Sequence, residues 1–260
     1  MKQWILELWH FRELLAALTA REIKVRYKQT LLGAAWAILQ PLSLTMIFTL
    51  VFGMILKVDS GGVAYPVFAF SALVPWMFFS NSVTFGSLSV VNNGNLVTKV
   101  YFPREILPLS SIGAALFDFL MAGIVFLLII FIYQIPLNYN FLLILIIIPS
   151  IVFLTAGISF FFSAINVMFR DIRFVIPLLL QIWLYLTPVI YSSNQVPAKF
   201  QLFFNLNPLV AVIENFRLVT IYGSLPNIGE IGFNLVLSIT IFVLGYWFFK
   251  SKEKIFADVI

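Results

Sequence analysis

Side chains that could carry catalysis are scarce in this sequence. Asp118 is the only clear ionisable residue within the long apolar segments, His10 is the only histidine, and there is no cysteine. General acid–base and metal chemistry need several such groups at one place. We therefore predict no catalytic residue and no metal site. Asp118 is expected to be a buried carboxylate that bonds a neighbouring hydroxyl or faces a wet cavity, although an ionisable group in such a segment is also a functional candidate.

The sequence also lacks a recognisable motif for binding and hydrolysing ATP. No lysine in the chain follows a glycine, so the phosphate-binding loop G-x-x-x-x-G-K-[ST] is absent. Ion or proton relays usually use more acidic or histidine side chains than these segments offer. If the chain takes part in active transport, a separate energising subunit is favoured.

The apolar segments that surround these residues fix the protein class. Hydrophobic residues make up 62% of the chain and charged residues 10%, whereas about a quarter of a soluble domain is charged. Charge-free stretches such as 31–56 are long enough for a helix to cross a hydrocarbon layer of roughly 30 Å. The sequence predicts a membrane protein that crosses the bilayer several times. Its net charge of +5 comes mostly from residues beside the ends of apolar runs, so nucleic-acid binding is a poor interpretation.

Span counting gives an all-α fold with six transmembrane helices in one domain, residues 1–260. The stretch 119–169 is too long for one crossing, and it is divided at a polar break around Pro136. The predicted spans are 31–56, 63–88, 108–133, 141–168, 174–193 and 229–249.

Lysine and arginine predict the orientation. Only Lys57, Lys199 and Arg217 of the 16 basic residues fall on one side of the predicted spans. The excess on the other side marks it as cytoplasmic, and both termini lie there.

Two further elements complete the predicted topology. An amphipathic helix over 1–20, with Trp4, Leu8, Phe11, Leu15 and Leu18 on one face, is expected to lie in the membrane interface. The external segment 197–222 is expected to form two short helices that dip back into the membrane without crossing it.

Three groups of residues are candidates for binding. A basic cluster where anionic lipid headgroups lie consists of Arg21, Lys24, Arg26 and Lys28. Two links between spans, NNGNLVTKVYFPRE at 92–105 and RDIR at 170–173, could dock a partner or could be capped turns with positive-inside anchors. Aromatic residues in the spans suit packing first, but they could also stack on sugar rings in a conduit; they include Trp76, Phe79, Tyr185 and Tyr191.

Five motifs resemble one known family. They are REIKVRYKQTLLGAAWAILQP at 21–41, VPWMFFSNSV at 74–83, TKVYFPREILPLS at 98–110, NVMFRDIRFVIPLLLQIWLYLTPVIYS at 166–192 and FNLNPLVAVIENFR at 204–217. Together they resemble the ABC-2 type permeases, the transmembrane subunits of exporters for O-antigen, teichoic acid and capsular polysaccharide.

The resemblance implies a homodimer in the bacterial inner membrane, two copies of an ATP-binding subunit that hold ATP and Mg, and a lipid-linked polysaccharide as substrate; this chain would bind no cofactor of its own. The implied coupling surface comprises Lys99, Tyr101, Phe102, Arg104, Glu105, Arg170, Asp171 and Arg173. The implied gate comprises Asn207, Pro208, Glu214 and Arg217. The basic cluster is our candidate for contact with lipid headgroups or a diphosphate.

Two alternatives stay open. A related permease for a small amphiphile or drug would share this architecture, although the lack of a large external domain favours the polysaccharide group. A membrane-embedded enzyme that modifies lipids or glycans would need a carboxylate pair or a metal cluster, whereas the 11 acidic residues are scattered.

Overall fold

The computed structural model describes residues 9–28 and 30–259. Within these ranges the chain forms helices and no strands, which confirms the predicted all-α fold. The helices are α1 Arg12–Tyr27, α2 Trp36–Phe48, α3 Tyr65–Asn92, α4 Gly94–Lys99, α5 Ile106–Ile132, α6 Ile144–Met168, α7 Ile172–Tyr185, α8 Gln201–Asn205, α9 Pro208–Thr220, α10 Ile228–Lys252 and α11 Phe256–Val259. A π-helix, Thr49–Ile55, continues α2, and short 3-10 turns precede α2 and α6.

Five helical segments of the described chain are long and apolar enough to cross a membrane. They are Gly33–Ile55, Tyr65–Asn92, Ile106–Ile132, Tyr139–Met168 and Ile228–Val259. Each coincides with a predicted span, and most of their bounds agree to within a few residues.

The fifth predicted span, 174–193, is helical only at its beginning. Helix α7 has 14 residues, which gives a length of about 21 Å, less than the roughly 30 Å of the hydrocarbon layer. The chain then turns, and Thr187, Pro188, Val189 and Ile190 are buried without being helical. Six complete crossings therefore remain a prediction.

Helix α3 lies at the centre of the bundle. It packs against α5 and α6 and also contacts α2, α7 and α9. The rings of Phe70, Phe126 and Phe216 stack in series between α3, α5 and α9. On the outside, large apolar side chains such as Phe131 (82% exposed) and Trp247 (68% exposed) face outwards. Such a surface needs lipid or a partner to cover it.

Helices α6 and α10 pack in close contact. A Cβ atom added to Gly245 would collide with the carbonyl oxygen of Gly157, and one added to Gly157 would lie 2.6 Å from the backbone of Phe242. Small residues allow this approach, which is the usual way that helices pack tightly in membranes.

Helix α1 covers one side of α5. Leu18 is buried, and Phe11 and Leu15 pack against the core, so the predicted apolar stripe is used in part against protein. Trp4 and Leu8 lie outside the described residues. The helix was expected to end near residue 20 but continues to Tyr27, because the basic cluster consists of good helix formers with no breaker among them.

Candidate functional site

The first linker, residues 93–105, connects α3 to α5. Lys99 is exposed and Tyr101 is 97% exposed, whereas Phe102 is buried. Arg104 and Glu105 turn towards the end of α10: Arg104 bonds Glu253, and Glu105 bonds Lys250. Lys99 and Tyr101 are therefore on the exposed side of the linker. Arg104 and Glu105 attach its other end to the end of α10.

The second linker, residues 169–173, comprises the turn after α6 and the first two residues of α7. Arg170, Asp171 and Arg173 are all exposed, and the Arg173 guanidinium lies 4.7 Å from the ring centroid of Phe174. The short helix α11 contacts both α4, in the first linker, and α6, which leads into the second. The structure thus brings both predicted docking segments to one end of the bundle.

The basic cluster divides into two arginines with side-chain partners and two exposed lysines. Arg26 forms an ion pair with Asp118 at 2.8 Å, and its guanidinium lies 4.1 Å from the centroid of Phe85. Arg21 bonds the side chain of Asn93. Lys24 and Lys28 are exposed. Headgroup contact stays a prediction, and these two lysines are the residues most available for it.

Asp118 has the hydroxyl partner that was expected, because the phenol of Tyr27 donates to it. Burial, and secondly this hydrogen bond, raise the pKa of Tyr27 above its ordinary value. Arg26, Tyr27 and Asp118 line a cavity of about 480 Å³ together with Gln40 and Asn81. The carboxylate is thus neutralised by a cation from α1, which allows it to lie within a predicted span.

The predicted gate segment forms two short helices, α8 and α9, as expected. Asn207 caps α9: its Oδ1 accepts from the backbone N–H of Leu209 at 3.1 Å and from the indole N–H of Trp183 at 3.0 Å. Its amide nitrogen donates to the hydroxyl of Thr187 at 3.0 Å. Pro208 begins the helix, where a missing N–H costs nothing. The cap joins α9 to the end of α7.

Arg217 is the most enclosed charge of the gate. It is 1% exposed and donates to the carbonyl oxygens of Pro188 at 2.6 Å and Val189 at 2.8 Å. Glu214, one turn earlier, is 3.6 Å away, and the guanidinium lies 3.6 Å from the centroid of Phe68. The sequence placed Arg217 in the gate but gave no sign that it is buried.

The four aromatic candidates fall into two groups. Trp76 (6% exposed) and Phe79 (0%) are packed inside the protomer, so the structure gives neither of them a surface that a polymer could reach. Tyr185 is exposed, and Tyr191 lines an apolar cavity of about 810 Å³ between α7 and the gate helices. A role in a pore lining stays a prediction.

Three residues with clear structural roles went unnoticed in the sequence: Tyr27, Lys250 and Glu253. In the sequence Lys250 belongs to the excess of basic residues beside the span ends. The spacing of Lys250 and Glu253, three residues apart on one helix, is typical of an ion pair but gives no hint of Glu105. No group of three His, Asp or Glu side chains that could hold a metal occurs in the part of the chain that the structure describes.

Comparison with known proteins supplies the family. The model of the ABC-2 type transporter family matches residues 13–221. The chain is 31% identical to the O-antigen export system permease protein RfbA of Klebsiella pneumoniae, with 95% of both chains covered. It is 29% identical to RfbA of Myxococcus xanthus over 100% of both chains. It is also 25% identical to the polysialic acid transport protein KpsM of Escherichia coli, over 92% of this chain and 93% of the relative. The chain therefore belongs to the ABC-2 type transporter family, as a membrane permease that is not itself an enzyme and that works with an ATP-binding partner.

Proposed function

We propose that this chain is the permease of an exporter that moves a polyprenyl-diphosphate-linked, O-antigen-like polysaccharide outward across the bacterial inner membrane. The observation that carries the proposal is the full-length likeness to permeases named for O-antigen export, which covers 95% of this chain and of the relative. The likeness to a polysialic acid transport protein supports a polysaccharide as the substrate class.

The proposed assembly is a homodimer with two ATP-binding subunits, which hold ATP and Mg. An apolar face along α7 that the protomer does not cover supports a second copy at this place; it includes Phe174, Leu178 and Ile182. The exposed residues of the two linkers, Lys99, Tyr101, Arg170, Asp171 and Arg173, would contact the ATP-binding subunits.

The proposed orientation has both termini in the cytoplasm. The excess of lysine and arginine beside one set of span ends supports it. The grouping of both linkers with the C-terminal helix α11 at one end of the bundle supports it as well.

In the proposed mechanism, ATP binding draws the two partner subunits together and their movement displaces the linkers. The displacement reaches the gate through α7, which begins in the second linker and ends against Asn207 and Arg217. A continuous path between the two protomers then opens, with Tyr185 and Tyr191 as candidates to contact sugar rings. Lys24 and Lys28 would contact lipid headgroups or the diphosphate before entry.

Complementation tests the proposal. The chain is expressed with its ATP-binding partner in cells that lack their own polysaccharide exporter but make the matching lipid-linked polymer. We expect polymer at the cell surface, and none when the partner's ATP-hydrolysing residue is replaced. Polymer that stays inside despite an assembled complex and a verified substrate match would instead favour a permease for a small amphiphile.

A further inference from the structure

A charged cluster connects the first linker to the end of α10. The Lys250 ammonium lies 2.8 Å from Oε2 of Glu105 and 2.9 Å from Oε2 of Glu253. The backbone N–H of Arg104 donates to Oε1 of Glu253 at 3.2 Å, and the Arg104 guanidinium donates to the carbonyl oxygen of Glu253. These four residues, which we call the α10 clasp, come from parts of the sequence almost 150 positions apart.

Burial makes Lys250 essential to this arrangement. Glu105 is 0% exposed, and within the described residues its Oε1 has no hydrogen-bond partner. Lys250 is the one cation that forms an ion pair with Glu105 in that part of the chain. Removing one partner of a buried ion pair leaves an uncompensated charge, which is strongly unfavourable. The ammonium therefore fixes the side chain of Glu105, which occupies the residue just before the start of α5.

Helix α10 also packs tightly against α6, the helix that leads into the second linker. Gly157 on α6 and Gly245 on α10 approach so closely that neither has room for a Cβ atom. Nearer the clasp, the ring centroids of Phe160 and Phe249 are 5.3 Å apart, and Phe249 also contacts Phe256 of α11 at 5.2 Å. Since α6 ends at Met168, the second linker begins directly where this packed pair ends.

We infer that the α10 clasp joins the two linkers into one mechanical unit, so that displacement of either linker by the ATP-binding partner moves both. The route runs from the first linker through Lys250 to α10, and from α10 through the glycine contact to α6 and the second linker. Lys250 and Glu105 are positioning residues in this scheme, because they act through the linkers and not on the substrate. The inference rests on the proposed function.

The first test replaces Lys250 in the assembled complex. We expect Lys250→Met to keep ATP hydrolysis by the partner but to lower the polymer exported per ATP by roughly 2- to 30-fold, the range expected for residues that modulate coupling between sites. Lys250→Arg, which keeps the charge, should restore most of the ratio. Lys254→Met is the matched control, since Lys254 is an exposed lysine one turn further along. An unchanged ratio in Lys250→Met overturns the inference.

The second test does not depend on whether Lys250→Met folds. The chain contains no cysteine, so Arg104→Cys together with Glu253→Cys introduces the only two thiols of the permease, and a short bifunctional thiol reagent can link them. We expect the unlinked double variant to have a lowered export ratio and the linked one to recover it, because the covalent link replaces the Arg104–Glu253 contacts of the clasp. If linking abolishes export, the clasp must open during transport and the inference is wrong. If the unmodified complex exports no polymer, it is the proposed function that has failed.

Discussion

The guanidinium of Arg217 on α9 donates a hydrogen bond to the carbonyl oxygen of Pro188, 2.6 Å away at the end of the broken fifth span. It also bonds the carbonyl of Val189. Within a membrane, non-helical backbone is tolerated only where protein or water satisfies its polar groups. Arg217 therefore explains how the chain can leave α7 after 14 residues and still bury the segment that follows.

Replacing Arg217 should destabilise the permease. In Arg217→Met the two carbonyl groups lose their charged donor, and we expect a loss of about 2 to 5 kcal/mol in the free energy of unfolding. The measurement is the unfolding midpoint of the purified permease in detergent. Lys199→Met, at an exposed lysine of the same external segment, is the control. Equal midpoints for Arg217→Met and the unmodified chain would show that the carbonyl contacts contribute little.

Tyr27 predicts a stability change at alkaline pH. Burial and the hydrogen bond to Asp118 raise its pKa above the ordinary value of 10.0. Below that value both the folded and the unfolded chain keep the phenol proton, so the contribution to stability is complete. At higher pH the unfolded phenol ionises first, and stability falls by at most about 1.4 kcal/mol per pH unit.

The change can be isolated with Tyr27→Phe, which cannot titrate. We expect the stability difference between the unmodified chain and Tyr27→Phe to shrink between about pH 10 and pH 12, above the ordinary pKa of the phenol. Unfolding midpoints measured at several pH values give this difference, and Tyr139→Phe, at an exposed tyrosine, controls for loss of a phenol. A difference that stays constant over the range contradicts the assignment.

The contact between α6 and α10 predicts opposite effects for two glycines of the same helix. Gly245→Ala places a methyl group against the backbone of Gly157 and should cost about 1 to 3 kcal/mol. Gly232→Ala has nothing within 4 Å and should be neutral or stabilising by up to about 1 kcal/mol, since alanine favours a helix. The measurement is the thermal unfolding midpoint of each variant compared with that of the unmodified chain. Similar losses in the two variants would mean that the helices do not approach as described.

Two asparagine helix caps, one at the start of gate helix α9 and one at the start of α10, allow a similar comparison. Asn207 and Asn227 each accept a backbone N–H two residues later, at 3.1 Å and 2.9 Å, and losing either cap should cost about 1 kcal/mol. Asn207 also bonds Trp183 and Thr187, so Asn207→Ala should lower the unfolding midpoint clearly more than Asn227→Ala. It should also impair export if α7 and α9 have to move together. Equal losses would restrict Asn207 to a capping role.

The sequence predicted the helices well because its signals were long. A long run of apolar residues without a charge, such as 31–56, is stable only in the bilayer. Its length shows that it can cross the hydrocarbon layer once as a helix. The prediction weakened at α7, because apolar composition alone does not show where a helix stops. The buried turn after Tyr185 depends on Arg217, about 30 positions away in the sequence.

The candidate sites were harder to predict for the same reason. Lys24, Arg26 and Lys28 look alike in sequence, yet Arg26 meets Asp118 whereas the two lysines are exposed. Partners that lie about 90 positions apart, such as Arg26 and Asp118, leave no local pattern. Aromatic residues behave likewise: Phe79 and Tyr185 both occur in apolar runs, but only the packing of the helices decides that Phe79 is buried.

The exposed second linker gives the most direct test of contact with the ATP-binding partner. Arg170 and Arg173 form no ion pair within the described residues, so reversing their charge should leave the fold intact. We expect Arg170→Glu combined with Arg173→Glu to insert normally into the membrane and to keep the unfolding midpoint of the permease. Export should fall strongly, because acidic side chains would replace the basic surface offered to the partner.

The readouts for this variant separate docking from coupling. Co-purification with the ATP-binding subunit reports on docking, and polymer exported per ATP hydrolysed reports on coupling. Lys199→Glu reverses one basic charge, half the change made by the double variant, at an exposed lysine of the external segment and should leave both readouts unchanged. Normal export by the double variant would remove the second linker from the coupling surface. That result would leave the first linker, which the α10 clasp holds against α10, as the principal contact, because Lys99 and Tyr101 are the other predicted coupling residues that are exposed at this end of the bundle.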